Sequence, residues 1–146
     1  MWNENRSLIL SKICVIGFSV LLLLSLFFAP TLFREWIINY PEARLLMFRM
    51  TVYLGCVPAA LLLILLYLLL HRIGNGLVFI RQNVKCLRQI SWCCFAGAII
   101  AASSSFYWFP WFAVGIAAGF MGLIVRVVKN VFERAVTLQE DADFTI

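Results

Sequence analysis

Hydrophobic residues are gathered along this chain into four blocks, and most charged residues lie in the segments between them. A hydrocarbon core about 30 Å thick requires roughly 20 apolar residues in a helix. Blocks of about that size, bounded by charged or aromatic residues, lie at about 13–33, 50–70, 91–108 and 111–128. The pattern predicts an all-α protein, in which residues 1–146 form a single transmembrane domain built as a four-helix transmembrane bundle.

The four blocks group into two hairpins. Only Phe109 and Pro110 separate the third block from the fourth. This spacing predicts a tight turn, and the aromatic residues around it are typical of a membrane–water interface. Small residues recur in both blocks, and Gly115-x-x-x-Gly119 allows two helix backbones to approach closely. These glycines predict helix packing, either within the hairpin or between two copies of the chain.

The connection between the two hairpins, residues 71–90, is basic. Arg81, Lys85 and Arg88 recur at helical spacing, and apolar residues repeat that spacing one position earlier. Two such stripes, about 100° apart, predict a basic amphipathic cytoplasmic helix between spans 2 and 3. Two interpretations remain open: a solvated connector, or a docking surface for the acidic tail or for a cytoplasmic partner.

Composition excludes the class of soluble globular domains. The chain is 64% hydrophobic and 13% charged, and its mean hydropathy is +0.96, whereas a soluble domain is about half apolar and about a quarter charged. The formal charge of +5 comes from basic residues scattered at the ends of the apolar blocks. That distribution favours membrane orientation over nucleic-acid binding, and the positive-inside rule predicts that both termini and the basic connection are cytoplasmic.

The C-terminal tail, residues 135–146, has the opposite charge to the basic connection. It carries several acidic residues and ends in apolar ones. One hypothesis is that the tail folds back onto the connection, with its apolar residues packed and its acidic residues facing the basic stripe; the alternative is a disordered terminus. The candidate cytoplasmic interaction surface comprises Phe79, Arg81, Asn83, Lys85, Leu87, Arg88, Asp141, Asp143, Phe144 and Ile146.

Two segments carry a resemblance to a known family. The pattern Phe79-x-x-x-Asn83-Val84-x-x-Leu87, between the second and third spans, resembles the bacterial membrane family of unknown function called DUF2975. The ending "LQEDADFTI" is similar to that family's tail, from which Phe144 departs by replacing a Leu. The resemblance implies a multi-pass protein of the bacterial inner membrane. It also implies a cytoplasmic partner, a small helix-turn-helix regulator of the Xre/Cro type, because a gene for one often lies beside those of family members.

No residue pattern in the chain points to catalysis. The middle of each block lacks ionisable residues, which disfavours coupled transport. His71 is the only histidine, and the five cysteines match no metal or disulfide spacing. We therefore expect a non-enzymatic protein with no catalytic residues, cofactor or metal, which acts through protein contacts. A small transporter or channel-like oligomer, and an immunity or stress protein against membrane-active agents, are the alternatives.

Overall fold

Long apolar helices make up almost all of the chain in a computed structural model, which describes residues 4–36 and 41–145. The four helices are α1 (Glu4–Trp36), α2 (Glu42–Gly74), α3 (Arg81–Ser104) and α4 (Pro110–Phe144). The described residues include no β-strand. Each helix is long and apolar enough to cross a membrane. The expected all-α fold is confirmed, and the four apolar helices are those of a multi-pass membrane protein.

Each helix packs against its neighbours in the sequence, so α3 lies between α2 and α4. Within the described residues, α1 contacts only α2. The central cluster of buried side chains is formed by α2 and α3, and α4 covers it with Val125 and Phe132. Large apolar side chains elsewhere are exposed, as a lipid-facing surface requires. The buried cluster consists of Leu69, Cys86, Leu87, Ile90 and Cys94.

Glycines bring α4 close to α3. A Cβ atom on Gly115 would lie 3.2 Å from the backbone nitrogen of Ala102 and 3.3 Å from the carbonyl oxygen of Ala98. A Cβ atom on Gly119 would meet nothing nearer than the Ala98 Cβ, at 3.8 Å. Farther along α4, the carbonyl oxygen of Gly122 accepts a buried hydrogen bond of 3.0 Å from a serine hydroxyl of α3. The two glycines expected to support helix packing thus lie in a contact within one chain.

The connection between α2 and α3 is shorter than the sequence pattern indicated. Helix α2 ends in a Schellman motif: Gly76 adopts a φ of 83°, and the amide of Leu77 donates to the carbonyl oxygen of Arg72. Helix α3 begins at Arg81 and continues without a break to Ser104. The basic segment is therefore not a separate amphipathic helix. It forms the first turns of α3, because neither proline nor glycine interrupts the chain between residues 81 and 96.

Hydroxyl groups join α2 and α3 at the end of the protein that lies opposite the α2–α3 connection. The Oγ1 of Thr51 lies 2.8 Å from the Oγ of Ser104, and both groups are buried. Tyr107, in the turn before α4, donates a hydrogen bond of 2.7 Å to the same Thr51 oxygen. The rings of Phe48, Trp108 and Trp111 pack beside this cluster. Polar and aromatic contacts thus hold α2 against the turn of the α3–α4 hairpin.

Candidate functional site

Most of the charged residues lie at one end of the protein, which we call the basic end. The start of α1, the end of α2, the start of α3 and the end of α4 lie there, because consecutive helices run in opposite directions. The Lys12 amine of α1, for example, lies 3.6 Å from where a Cβ on Gly74 of α2 would stand. Of the 12 Lys and Arg residues, only Arg34, Arg44 and Arg49 lie toward the opposite end.

An ion pair connects α3 to α4 at the basic end. The Nε of Arg81 donates to Oε1 of Glu140 over 3.0 Å, and its Nη2 donates to Oε2 over 2.6 Å. These hydrogen bonds favour the charged carboxylate and lower the pKa of Glu140, as they raise the pKa of Arg81. Both side chains remain about half exposed. The pair therefore fixes the register of the two helix ends in a water-accessible place.

Asn83 closes the connection between α2 and α3. Its amide nitrogen donates to the carbonyl oxygens of Leu77 and Val78, over 2.8 and 2.7 Å, and the residue is fully buried. The neighbouring ring of Phe79 packs on Phe132 of α4, with ring centroids 5.3 Å apart. The residues that carry the family resemblance thus join three helices to one another at the basic end.

This placement corrects part of the expected interaction surface. Asn83 is 0% exposed and Leu87 is 6% exposed, so neither can touch a partner while the helices are packed. Both point into the interior because residues 83, 84, 86 and 87 form the buried side of α3. Lys85 and Arg88 lie on its exposed side, and Phe79 is about half exposed. The part of α3 that can still contact a partner is its basic stripe, formed by Arg81, Lys85 and Arg88.

The tail also differs from its expected arrangement. Helix α4 runs without a break to Phe144, so the tail neither folds back nor packs its last ring, and Phe144 is 90% exposed. The acidic residue that meets the basic stripe is Glu140; Asp141 and Asp143 lie on exposed parts of the helix. The fold-back hypothesis is wrong for Phe144, since a continuous helix cannot reverse direction. Ile146 lies outside the described residues.

Glu140 is one of the tail acids that opposite charge placed against the basic stripe, and it pairs with Arg81. Two further contacts were missed from the sequence. Phe132 packs against Phe79 and helps to attach α4 to the start of α3, and Arg126 places its guanidinium over the ring of Trp92, 5.6 Å from the centroid. The cation–π contact between Arg126 and Trp92 depends on the rotation of both helices, which no single-helix pattern gives.

The chemistry available at the basic end is that of binding contacts. It offers guanidinium and ammonium groups, carboxylates and two exposed apolar side chains on α4, Leu138 and Phe144. Within residues 4–36 and 41–145, no group of three or more His, Cys, Asp or Glu side chains could hold a metal ion.

Comparison with known proteins gives one match. The model of a family described as "Protein of unknown function (DUF2975)" matches residues 21–146. No curated protein and no solved structure matches the chain.

Proposed function

This chain belongs to the DUF2975 family, whose function is unknown, and from that premise we propose that it holds a cytoplasmic protein at the bacterial inner membrane. In this proposal the protein is not an enzyme, and the basic end, with both termini, faces the cytoplasm. The partner is a small helix-turn-helix regulator of the Xre/Cro type. The excess of Lys and Arg at the basic end supports the orientation.

The observation that carries this proposal is the exposed end of α4. A helix of 35 residues is about 50 Å long, whereas the hydrocarbon core is about 30 Å thick. Since α4 begins at the opposite interface, about its last 15 residues extend beyond the hydrocarbon into water. Leu138 and Phe144 are 66% and 90% exposed on this part. Large apolar side chains that extend into water are available for contact with another protein.

Charge indicates the kind of partner. Asp141 and Asp143 lie next to Phe144 and make no ion pair within the described residues. A DNA-binding domain presents a basic surface to the phosphate backbone. Carboxylates around an apolar anchor would bind such a surface and compete with DNA for it. The protein would then remove the regulator from its operator by holding it at the membrane.

The test is binding of a purified Xre/Cro-type regulator from the same organism to liposomes that contain the full-length protein. We expect the regulator to sediment with these liposomes. Salt should weaken this binding, and operator DNA should release the regulator from the liposomes. A triple variant should abolish this binding; it combines Asp141→Asn, Asp143→Asn and Phe144→Ser. A matched control changes Glu35→Gln, Glu42→Gln and Phe109→Ser at the opposite end, where Phe109 is 78% exposed, and should leave binding unchanged.

The same liposomes distinguish this proposal from a transporter, and a deletion strain distinguishes it from an immunity protein. Binding that is equal in the two triple variants, or absent in the unaltered protein, would contradict the proposal. Solute flux without regulator binding would favour a transporter, and altered sensitivity to membrane-active agents on deletion would favour an immunity protein.

A further inference from the structure

A stripe of basic residues on α3 leads directly to an exposed tryptophan. Arg81, Lys85, Arg88 and Trp92 are spaced by four, three and four residues, so they follow one another along a single face of the helix. All four side chains are exposed, and Trp92 is 59% exposed. The charged part of the stripe is nearer the helix start, and the ring lies at the edge of the third apolar block. Tryptophan at this depth is typical of the headgroup region.

Helix α4 adds a cation at the same place. The guanidinium carbon of Arg126 lies 5.6 Å from the centre of the Trp92 ring, within the range of a cation–π contact. Arg88 is one helical turn from Trp92 and lies on the same side of α3. Lys85 lies about one further turn away. Three cations therefore lie on the side of the α3–α4 hairpin that carries the Trp92 ring.

The two acidic residues of α4 nearest these cations along the hairpin, Glu133 and Glu140, are already engaged. Glu140 pairs with Arg81, and Glu133 pairs with Lys129 over 3.3 Å. Lys85 and Arg88 make no ion pair or side-chain hydrogen bond with any residue that the structure describes. The surface thus offers unneutralised positive charge at a fixed position, which favours an anionic group.

The stripe continues into an apolar track. Beyond Trp92 the same face of α3 presents Ala96 and then Ile99, which is 70% exposed. These residues belong to the third apolar block, so the track runs into the hydrocarbon. A ligand that fits the whole face has an anionic head, an interfacial segment and an apolar chain.

We propose that Lys85, Arg88 and Arg126 bind the phosphate of an anionic phospholipid in the leaflet at the basic end. Trp92 lies against the glycerol region of this lipid, and an acyl chain follows Ala96 and Ile99. The site does not depend on the regulator proposed above, because that surface uses the end of α4. An acidic protein would match the charges alone, whereas the phospholipid also matches the apolar track.

The experiment measures lipid retention by native mass spectrometry. The full-length protein is equilibrated in mixed micelles with phosphatidylglycerol and phosphatidylcholine, and bound lipid is counted as detergent increases. Each basic residue near an anionic headgroup is expected to account for about fivefold in affinity. The variant Lys85→Gln with Arg88→Gln should therefore bind phosphatidylglycerol about 25-fold more weakly, with phosphatidylcholine unaffected.

The matched control is Arg6→Gln with Lys12→Gln, which removes the same charge at the same end from α1, a helix that does not contact α3. This control should keep its phosphatidylglycerol. Trp92→Ala should weaken retention without changing net charge. Equal loss in the control would overturn the proposal, because it would show a general response to charge. Full retention in the Lys85 and Arg88 variant would also overturn it, as would displacement of the lipid by the regulator.

Discussion

Arg81 and Glu140 are 59 residues apart in the sequence, yet their side chains form two parallel hydrogen bonds where α3 begins and α4 ends. Both groups stay in contact with water. An exposed pair of this kind stabilises a fold only weakly. Its geometry, however, sets the position of one helix end against the other.

Titration of Glu140 tests this pair. Because hydrogen bonds from Arg81 lower the pKa of the carboxyl group in the folded protein, the pair contributes fully above the ordinary pKa of Glu. That contribution is lost as the pH falls through the lowered value. Carbon-13 NMR of the labelled carboxyl should give a midpoint below the ordinary range, and Arg81→Gln should return it to that range. An unshifted midpoint in the unaltered protein would show that the pair is not maintained.

Replacement of Asn83 should loosen the connection between α2 and α3. Asn83→Ala removes two hydrogen bonds to backbone carbonyls, and we expect it to cost about 1–3 kcal/mol. Asn83→Asp should be at least as harmful, because it replaces the donating amide by an acceptor. Limited trypsin digestion at Arg72 and Arg81 would report the loosening as faster cleavage. Gln82→Ala, on the exposed side of α3, is the control, and equal cleavage in both variants would refute the role of Asn83.

The sequence predicted the four long apolar helices and the charge of the basic end, but it placed a separate helix in the basic connection and did not show how far the helices extend. Blocks of apolar residues locate a span because lipid must solvate them. The polar helical turns beyond each block contain no run of apolar residues, so the blocks do not show where a helix ends. Helix α4 therefore continues through the predicted tail as far as Phe144. The burial of Asn83 was also missed, since its partners are backbone carbonyls that leave no trace in side-chain patterns.

The two glycines of the fourth helix should differ in their tolerance of a methyl group. On Gly115 it would press on the backbone of α3, which cannot move without shifting the helix. We expect Gly115→Ala to cost about 1–3 kcal/mol as an overpacked contact. Gly119→Ala meets ordinary contact distances and should be nearly neutral. Steric trapping in bicelles measures the free energy of unfolding of both variants; equal effects would contradict the close approach at Gly115.

The spacing Gly-x-x-x-Gly could not distinguish these two positions. Both residues recur on one face of α4, and the spacing only permits close approach. Which glycine meets backbone depends on the crossing point with α3, where Ala98 and Ala102 lie. Crossing points are set by the packing of both helices and are not encoded in either one alone.

The hydroxyl groups of Thr51 and Ser104 should be energetically coupled. Their oxygens are 2.8 Å apart, and each also lies within bonding distance of a carbonyl in its own helix. A double-mutant cycle with Thr51→Val and Ser104→Ala should give a coupling of about 0.5–1.5 kcal/mol, the range for polar pairs between membrane helices. Thr51→Val with Ser103→Ala is the control, because Ser103 bonds only within α3. Zero coupling in the first cycle would show that the contact does not join the helices.

Photo-crosslinking in living cells shows whether the end of α4 holds a cytoplasmic regulator. A photoreactive amino acid replaces Leu138 or Phe144 in one pair of strains, and the exposed residues Ile99 or Phe109 in another. We expect an adduct with the Xre/Cro-type regulator from positions 138 and 144 and none from positions 99 and 109. Absence of an adduct at both positions of α4, or adducts of equal yield at all four, would contradict it.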